Sequence, residues 1–316
     1  MYATTTIRIE RSEVVNGESA QVWALLSSPA AWSLWPHAPF MFDVPGTEAL
    51  RLYIGLTARG LGSVLLEVSD QVPGAMVRLL TLPTGRQEYT LSVAAGRRGT
   101  AKVTVRVKEI VPRREELGLE LRRRKEVKGW LSAVSAVIEG RARWPGLEVP
   151  TSLLEASTAQ PRIVAAQSAS TSVLINAGPA TVWDAIQSPE VARNLGPSPA
   201  IYIGHVPGTP EGEAGEMQYF VSRRSDGQLT GQVVVVTEMT KQRSALACLL
   251  GPTQFEQHYL LTPESDSGPT RLDLTFRWPA PKRADAAEAA GSQMTEAVEV
   301  YARDYKSLIE AADARA

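Results

Sequence analysis

The sequence predicts an α+β protein in which one domain occurs twice, each copy combining an antiparallel sheet with a long C-terminal helix. The first observation is a repeat, because residues 16–29 reappear 160 positions later as residues 176–189, with six identities: Asn16/Asn176, Ala20/Ala180, Val22/Val182, Trp23/Trp183, Ser28/Ser188 and Pro29/Pro189. A second repeat is Val-Pro-Gly-Thr, at 44–47 and again at 206–209. Solenoid repeats recur every ~20 to 50 residues. The longer spacing therefore indicates a duplicated domain.

A proline-rich stretch separates the two copies. The chain has 316 residues, which is enough for two domains that each bury a core. Residues 144–170 hold several prolines and many small polar residues, a composition typical of a domain boundary. We therefore predict a first domain at 1–145, a linker at 146–168 and a second domain at 169–316.

Each domain begins with a strand and two short helices. Residues 4–15 alternate apolar and polar side chains, as expected of a half-buried strand. Ser19 and Pro179 lie at the predicted helix starts, where a serine oxygen can accept an amide hydrogen bond and proline has no amide to leave unpaired. Pro29 and Pro189 end the first helix, after which a second can begin.

A run of strands follows in each half, bounded by Gly, Pro and Asp. In the first domain we predict strands at 49–56, 63–68, 76–82, 88–94 and 101–111. In the second domain we predict strands at 171–177, 200–205, 216–223, 230–240, 244–250, 255–262 and 270–278.

A long helix closes each domain. In the first we predict a helix at 115–139 whose apolar face contains Leu117, Leu121, Val127, Leu131, Val134 and Ile138. The basic run 122–125 is placed on its solvated side. In the second we predict a helix at 285–312 whose buried face contains Met294, Val298, Tyr301, Tyr305, Leu308 and Ala312.

Composition excludes several classes of protein. The chain is 44% hydrophobic and 21% charged with a net charge of -1, which gives no general reason to expect nucleic acid. Up to residue 150 there are 20 basic and 15 acidic residues, against 13 and 19 afterwards, so complementary charge could help the two domains dock. Cys248 is the single cysteine. No apolar run is long enough for a membrane span, and we expect a cytoplasmic protein.

This order of elements, with valine and tryptophan early in the first helix and Ser-Pro after it, resembles the START/Bet v 1-like (SRPBCC, polyketide cyclase-like) superfamily. The residues that carry the resemblance are Ala20, Val22, Trp23, Ser28, Pro29, Trp32 and Trp35, and Ala180, Val182, Trp183, Ser188 and Pro189. It implies two tandem helix-grip domains, each a curved sheet wrapped around the long helix and enclosing a hydrophobic cavity. Members of the superfamily bind lipids, sterols or plant hormones, act as polyketide aromatase/cyclases, or serve as co-chaperones.

Three functions follow as hypotheses. The first is binding of a hydrophobic or aromatic small molecule in a helix-grip cavity. The alternative is a cofactor-independent polyketide aromatase/cyclase or dehydratase, in which a tyrosine, arginine or histidine would handle the proton. The third is a client- or partner-binding module, which should tolerate filling of the cavity. An enzyme should instead lose turnover when a cavity Tyr or His is removed, and a carrier should lose only affinity.

The candidate cavity residues are aromatic rings, histidines and one methionine, each of which could equally pack in a core or at the surface. In the first domain they are Trp32, Trp35, His37, Tyr53, Tyr89 and Trp130. In the second they are Tyr202, His205, Tyr219, Tyr259, Met294 and Tyr301. Arg51 and Arg78 could orient a polar group of the ligand, although we expect both on an exposed strand face. At the 160-residue shift Trp32, Trp35 and His37 correspond to Ala192, Leu195 and Pro197, so the domains differ at the cavity mouth.

Other chemistries lack their motifs. Gly55, Gly60 and Gly62 do not complete a dinucleotide fingerprint, and no phosphate-binding loop with Gly-Lys-Ser/Thr occurs. Neither paired metal-ligand spacing nor a nucleophile elbow is present. We therefore expect neither a cofactor nor a metal, and we leave the catalytic residues unassigned.

Overall fold

The fold is taken from a computed structural model of the chain. Its described residues are 3–35, 40–45, 51–56, 63–72, 74–82, 85–146, 148–159, 163, 166–196, 200–224, 226–250, 255–265, 268–281 and 283–313. The chain divides into Met1–Leu153 and Leu154–Ala316, which we call unit 1 and unit 2. The domain and linker limits given above stay predictions.

Unit 1 consists of seven strands, two short helices after the first strand and a long closing helix. The strands are β1 (Thr4–Asn16), β2 (Phe40–Asp43), β3 (Arg51–Leu56), β4 (Ser63–Val72), β5 (Ala75–Leu82), β6 (Gly85–Ala95) and β7 (Thr100–Pro112). The helices are α1 (Ser19–Leu26), α2 (Pro29–Ser33) and α3 (Glu116–Ile138). The strands form one antiparallel sheet in the order β1-β7-β6-β5-β4-β3-β2.

Unit 2 repeats this plan after a short helix, α4 (Thr151–Thr158), which lies within the predicted linker. Its strands are β8 (Ala166–Ile175), β9 (Ala200–His205), β10 (Met217–Arg223), β11 (Leu229–Thr240), β12 (Ser244–Leu249), β13 (Glu256–Pro263) and β14 (Thr270–Pro279). Its helices are α5 (Pro179–Gln187), α6 (Pro189–Arg193) and α7 (Ala284–Asp313). The sheet order is β8-β14-β13-β12-β11-β10-β9, the same as in unit 1.

Both units therefore have the α+β helix-grip arrangement. In each, the last strand pairs with the first along nearly its full length, which brings the two ends of the domain together. The closing helix packs against those two strands, α3 on β1 and β7 and α7 on β8 and β14. The space between helix and sheet holds the hydrophobic core of unit 1 and both the core and a cavity of unit 2.

The repeated motif forms the same helix pair in both units. Pro29 and Pro189 occupy the first helical position, where the missing amide costs no hydrogen bond. Val22 and Val182 are fully buried at equivalent sites of α1 and α5. The shared residues are therefore those that seat the helix pair on the sheet.

The register of α3 differs from the sequence prediction. Leu117 and Leu121 are exposed, whereas Arg123, which we expected on the solvated side, is buried. The buried stripe is Arg123, Val127, Trp130 and Val134, which follows helical spacing but starts from a charged residue. Arg123 can be buried because two carboxylates, those of Glu109 and Glu126, pair with it.

The buried face of α7 is also shifted. Val298, Ala302, Tyr305 and Ile309 are buried, Ala312 is exposed, and Met294, Tyr301 and Leu308 are half-buried. Met294 and Tyr301 keep accessible surface because they border a cavity and not a filled core. Within the part of the chain that the structure describes, no helix combines the length and the apolar character needed to cross a bilayer.

Candidate ligand-binding cavity

Unit 2 contains a cavity of about 500 Å³ between its sheet and α7. The sheet contributes side chains from β10 to β13, among them Ala245 and Ala247 of β12. The helices contribute Ala192 of α6 and Tyr301 and Tyr305 of α7. The long helix thus forms one wall and the concave face of the sheet the other.

The second short helix and the loop after it border part of the cavity, because two residues there are smaller than their counterparts in unit 1. Ala192 and Leu195 line the cavity, and the sequence repeat equates them with Trp32 and Trp35 of unit 1. Both tryptophans are at most 1% exposed and stack on each other with ring centroids 5.8 Å apart. In unit 1 indole rings therefore occupy the space that remains open in unit 2.

The strands show the same contrast when equivalent residues are identified from the register. In unit 1 the hydroxyl of Tyr89 donates to Gln87, two residues earlier on β6, and in unit 2 the hydroxyl of Tyr259 donates to Gln257 on β13. Tyr89 pairs with Arg78 across the sheet and Tyr259 pairs with Ala245, so Arg78 of unit 1 corresponds to Ala245 of unit 2. Gln87 pairs with Leu80 and Gln257 pairs with Ala247, so Leu80 corresponds to Ala247.

The closing helices can be aligned through a shared contact. The side chain of Asn16 donates to Glu139 at 3.2 Å, and the backbone amide of Asn176 donates to Glu310 at 2.8 Å. Because Asn16 and Asn176 are equivalent in the repeat, this pairing equates Trp130 with Tyr301 and Arg123 with Met294. Both residues of α7 are smaller than their counterparts and both line the cavity.

The rings of unit 1 pack on one another. Trp130 lies 5.5 Å from both Trp32 and Trp35, and Tyr89 contacts the two tryptophans edge-on at 5.6 and 5.0 Å. Trp130 also donates its indole N–H to the carbonyl of Ala31 at 2.8 Å. Such geometry is favourable for aromatic pairs. These side chains form a filled core in unit 1.

Arg78 takes part in this core and is completely buried, contrary to the exposed position we expected. Its guanidinium lies 5.3 Å from the ring of Trp32 and 4.9 Å from that of Tyr53, and it donates to the carbonyl of Leu26. Stacking on two aromatic faces offsets part of the cost of burying the charge.

Two buried tyrosines, Tyr259 and Tyr305, line the cavity of unit 2. Their rings pack edge-on with centroids 6.2 Å apart, and the hydroxyl of Tyr259 donates to Oε1 of Gln257 at 2.9 Å. Burial raises the pKa of both tyrosines above that of a free phenol. At neutral pH they are therefore neutral hydrogen-bond donors.

Tyr301 forms another part of the wall because a glycine faces it. A side chain on Gly196 would overlap the ring of Tyr301, and the backbone of Gly196 has φ +73°, which favours glycine. The amide of Gly196 donates to Asp304 of α7 at 3.0 Å, which ties the loop after α6 to the helix. Burial, and secondly the nearby Asp304, raise the pKa of Tyr301.

A buried carboxylate orients a second amide. Glu216 is 1% exposed and accepts hydrogen bonds from Gln218 Nε2 at 2.6 Å and from the backbone of Gly212 at 2.7 Å. His205 Nδ1 lies 3.1 Å from the same carboxylate. Gln218 itself lines the cavity. The carboxylate is not itself a lining residue, and it holds one of the cavity's polar groups in place.

The cavity lining carries no charge among the residues that the structure describes. Its polar groups are three tyrosine hydroxyls, one serine and four glutamine amides, namely Tyr259, Tyr301, Tyr305, Ser222, Gln187, Gln218, Gln232 and Gln257. The remaining lining residues are apolar. Such a site suits a neutral ligand, because it offers hydrogen bonds but no compensation for a buried ion.

The structure separates the candidate site residues into groups. Tyr259, Met294 and Tyr301 line the cavity of unit 2. Trp32, Trp35, Tyr53, Tyr89 and Trp130 lie in the filled core of unit 1. His37 lies outside the described residues.

The other three candidates belong to β9 and β10. Tyr202 and Tyr219 lie on the face of the sheet opposite the cavity, because they pair with Val221 and Gly204 while Gln218 and Phe220 face inward. Tyr219 is nevertheless buried, since its ring packs over Gly204. His205 pairs with Gln218 and contacts Glu216, but it does not line the cavity.

Sequence reasoning missed the glutamines. Gln218 and Gln257 were not singled out. Gln-x-Tyr recurs at 87–89 and 257–259, and this repeat could have marked Gln257. The described residues also contain no cluster of three or more His, Cys, Asp or Glu side chains able to hold a metal ion.

No protein-family model and no curated protein matches the sequence. Among solved structures, the di-domain ARO/CYC BexL from the BE-7585A biosynthetic pathway is 14% identical, with 96% of this chain and 98% of that chain covered and a TM-score of 0.37. The di-domain ARO/CYC StfQ from the steffimycin biosynthetic pathway is 10% identical over 97% and 99%, with a TM-score of 0.39. Ara h 8.0201 is 10% identical over 46% and 99%, with a TM-score of 0.36. Because these values are low, the functional proposal rests on the residues of this chain alone.

Proposed function

We propose that unit 2 binds a hydrophobic, aromatic small molecule in the cavity between its sheet and α7. The observation that carries this proposal is that four lining residues are smaller than their counterparts in unit 1: Ala192, Leu195, Ala245 and Ala247 stand in place of Trp32, Trp35, Arg78 and Leu80. The volume of about 500 Å³ lies in the range of small-molecule sites, roughly 300–1,000 Å³.

The lining favours an aromatic ligand. Phe220, Phe255 and the three tyrosines provide ring faces and edges, and aromatic pairs gain energy beyond the area that they bury. The few polar groups are neutral and would orient the ligand. Complementary shape would come from the rigid sheet.

Turnover by an aromatase/cyclase-type mechanism is the second candidate, supported by the buried hydroxyl pair of Tyr259 and Tyr305. Their raised pKa values keep both phenols protonated at neutral pH, so they could donate hydrogen bonds to a substrate carbonyl but would be poor general acids and poor general bases. Because the lining has no carboxylate or imidazole among its described residues, binding accounts for the cavity more simply than proton abstraction.

Filling the cavity provides the test. Ala192→Trp copies the tryptophan of unit 1, and Ala247→Leu copies Leu80 with a smaller change. Both should weaken binding of fluorene, an uncharged aromatic hydrocarbon, by about tenfold or more, measured by fluorescence titration of the full chain. Ala289→Trp, on the exposed side of α7, is the matched control and should bind as the wild type does.

Folded Ala192→Trp and Ala247→Leu proteins that bind fluorene as tightly as the wild type would exclude this cavity as the site. Circular dichroism melting of each variant establishes that it is folded. Native mass spectrometry of gently purified protein, before and after denaturation, would identify any molecule that the cavity already holds.

A further inference from the structure

We infer that the ligand carries a carbonyl-type acceptor and a hydroxyl-type donor, recognised by Gln257 Nε2 and Gln218 Oε1 respectively. This inference rests on the proposed function, since it names the chemistry of the molecule that the cavity of unit 2 would hold. It depends on how a neighbouring side chain orients each of the two amides.

The first orientation is that of Gln257. The hydroxyl of Tyr259 donates to Oε1 of Gln257 at 2.9 Å. An amide that accepts through its oxygen presents its two N–H donors on the other side. Gln257 lines the cavity, so Nε2 is the end that a ligand would meet.

Unit 1 shows what this amide does when protein supplies the acceptor. The oxygen of Gln87 accepts from Tyr89, and its Nε2 donates to Glu109 Oε1 at 3.1 Å. Glu109 is held in turn by Arg123 at 2.8 Å. A carboxylate can only accept, so the amide orientation in unit 1 is unambiguous.

In unit 2 that acceptor has been replaced by apolar residues. Gln87 pairs with Glu109 across β6 and β7, whereas Gln257 pairs with Phe276 across β13 and β14. The helix position of Arg123 is taken by Met294. Among the described residues nothing accepts from Gln257 Nε2, and the ligand would supply the acceptor that Glu109 supplies in unit 1.

The amide of Gln218 is oriented the other way round, with its nitrogen and not its oxygen bonded to the protein. Its Nε2 donates to the buried carboxylate of Glu216 at 2.6 Å, which leaves Oε1 as the end available to the cavity. No donor to that oxygen exists in the described part of the chain. The ligand would therefore present a hydroxyl or an amine proton here.

The two amides lie on opposite sides of the cavity. Strands β10 and β13 are separated by β11 and β12, or three steps of about 4.8 Å in the sheet. The ligand's two polar groups should accordingly project from different edges of its apolar body. A ligand that lacks one of these polar groups would leave a desolvated amide unpaired, so the site would bind it less tightly than a ligand that carries both.

Four planar probes that differ only in these groups test the inference: fluorene, fluorenone, hydroxyfluorene and hydroxyfluorenone. For the full-length wild type we expect the carbonyl to improve affinity about fivefold to tenfold, and the hydroxyl by a similar factor. Gln257→Met, which keeps side-chain length, should abolish the carbonyl gain alone. Gln218→Met should abolish the hydroxyl gain alone. Gln293→Met, at an exposed position of α7 that is not among the lining residues, is the control and should abolish neither.

The outcomes separate the two proposals. The inference is supported if both variants keep the fluorene affinity of the wild type, while Gln257→Met loses the carbonyl gain and Gln218→Met loses the hydroxyl gain. The retained fluorene binding also shows that the variants fold. Fluorene binding with both gains unchanged in Gln257→Met and Gln218→Met would overturn the amide assignment and leave the proposed function standing. Failure of every probe to bind the folded wild type would overturn the proposed function and the inference together.

Discussion

Arg123 and Met294 occupy equivalent helix positions with opposite chemistry. The guanidinium of Arg123 lies 2.8 Å from Glu109 and 2.7 Å from Glu126, and all three side chains are largely buried. Such a cluster is costly to desolvate, and its stability depends on every member being present. In unit 2 a methionine at this position needs no partner and leaves the adjacent amide free for a ligand.

Removal of the arginine should therefore destabilise unit 1. We expect Arg123→Met to lower the free energy of unfolding by about 3–5 kcal/mol, because two carboxylates would stay buried without a cation. Urea denaturation followed by tryptophan fluorescence measures this, since five of the seven tryptophans lie in unit 1.

The double variant Arg123→Met/Glu109→Phe is the control, because it copies the residues of unit 2. It should recover part of the lost stability, since replacing buried ions with apolar groups can be nearly neutral. A single variant as stable as the wild type would mean that the ion cluster contributes nothing.

Tyr305 links the cavity to alkaline stability. Burial raises its pKa in the folded state above the value of about 10 that applies when the chain is unfolded. The contribution of Tyr305 to the free energy of unfolding is thus complete below pH ~10. It is lost as the pH rises above that value, because the phenol then releases its proton in the unfolded state but keeps it in the folded state. Above pH ~10 the loss for this group is about 1.4 kcal/mol per pH unit.

The Tyr305→Phe variant tests whether Tyr305 causes this loss of stability at high pH. The free energy of unfolding of the wild type, from urea titrations at pH 8 and above pH 10, should fall more steeply than that of the variant. Equal pH dependence in the two proteins would show that Tyr305 does not titrate differently on unfolding.

At the scale of elements, the short second helix decides whether a unit is filled. α2 and α6 begin with the same Ser-Pro and have the same length, so the backbone is conserved between the copies. What changes is the inward side chain, Trp32 in one and Ala192 in the other. A helix pair used to close the domain thereby also sets the volume beneath it.

Trp32→Ala should open unit 1. Its ring contacts three aromatic rings at centroid distances of 5.5 to 5.8 Å, and the truncation should cost about 3–5 kcal/mol. Urea denaturation measures that loss, and fluorene titration should reveal a new site. Trp144→Ala, at a residue that is 39% exposed, is the matched control and should change neither. A Trp32→Ala protein with unchanged stability would contradict the packed-core description.

At the scale of the whole molecule, duplication has produced two units with one plan and different interiors. The core of unit 1 contains four tightly packed rings and a buried arginine, and unit 2 has a neutral cavity. Among the described residues the cavity belongs to unit 2, and we therefore expect one binding site per chain.

Stoichiometry tests this division. We expect one hydroxyfluorenone per wild-type chain by isothermal titration calorimetry, and none of that binding in Ala192→Trp. Two equivalent sites in the wild type would show that unit 1 also binds the probe.

Much of the fold was predictable from local patterns. The repeat, the order of the strands and the long closing helices depend on side-chain periodicity and on proline positions, which act over a few residues. The strand β2 and the helix α4 were not predicted, because each is short and lacks a clear period. The replacement of Trp32 and Trp35 by Ala192 and Leu195 was also visible in the aligned repeats.

By itself, the sequence determined that this protein has two α+β helix-grip domains and that they differ at the positions of Trp32 and Trp35, which it placed at the cavity mouth. Only the tertiary structure decided which side chains meet: that Arg123 is buried against Glu109, that Tyr219 faces away from the cavity, and that Gln218 donates to Glu216 while Gln257 accepts from Tyr259. The physical reason is that cross-strand register and helix rotation bring together residues far apart in the chain.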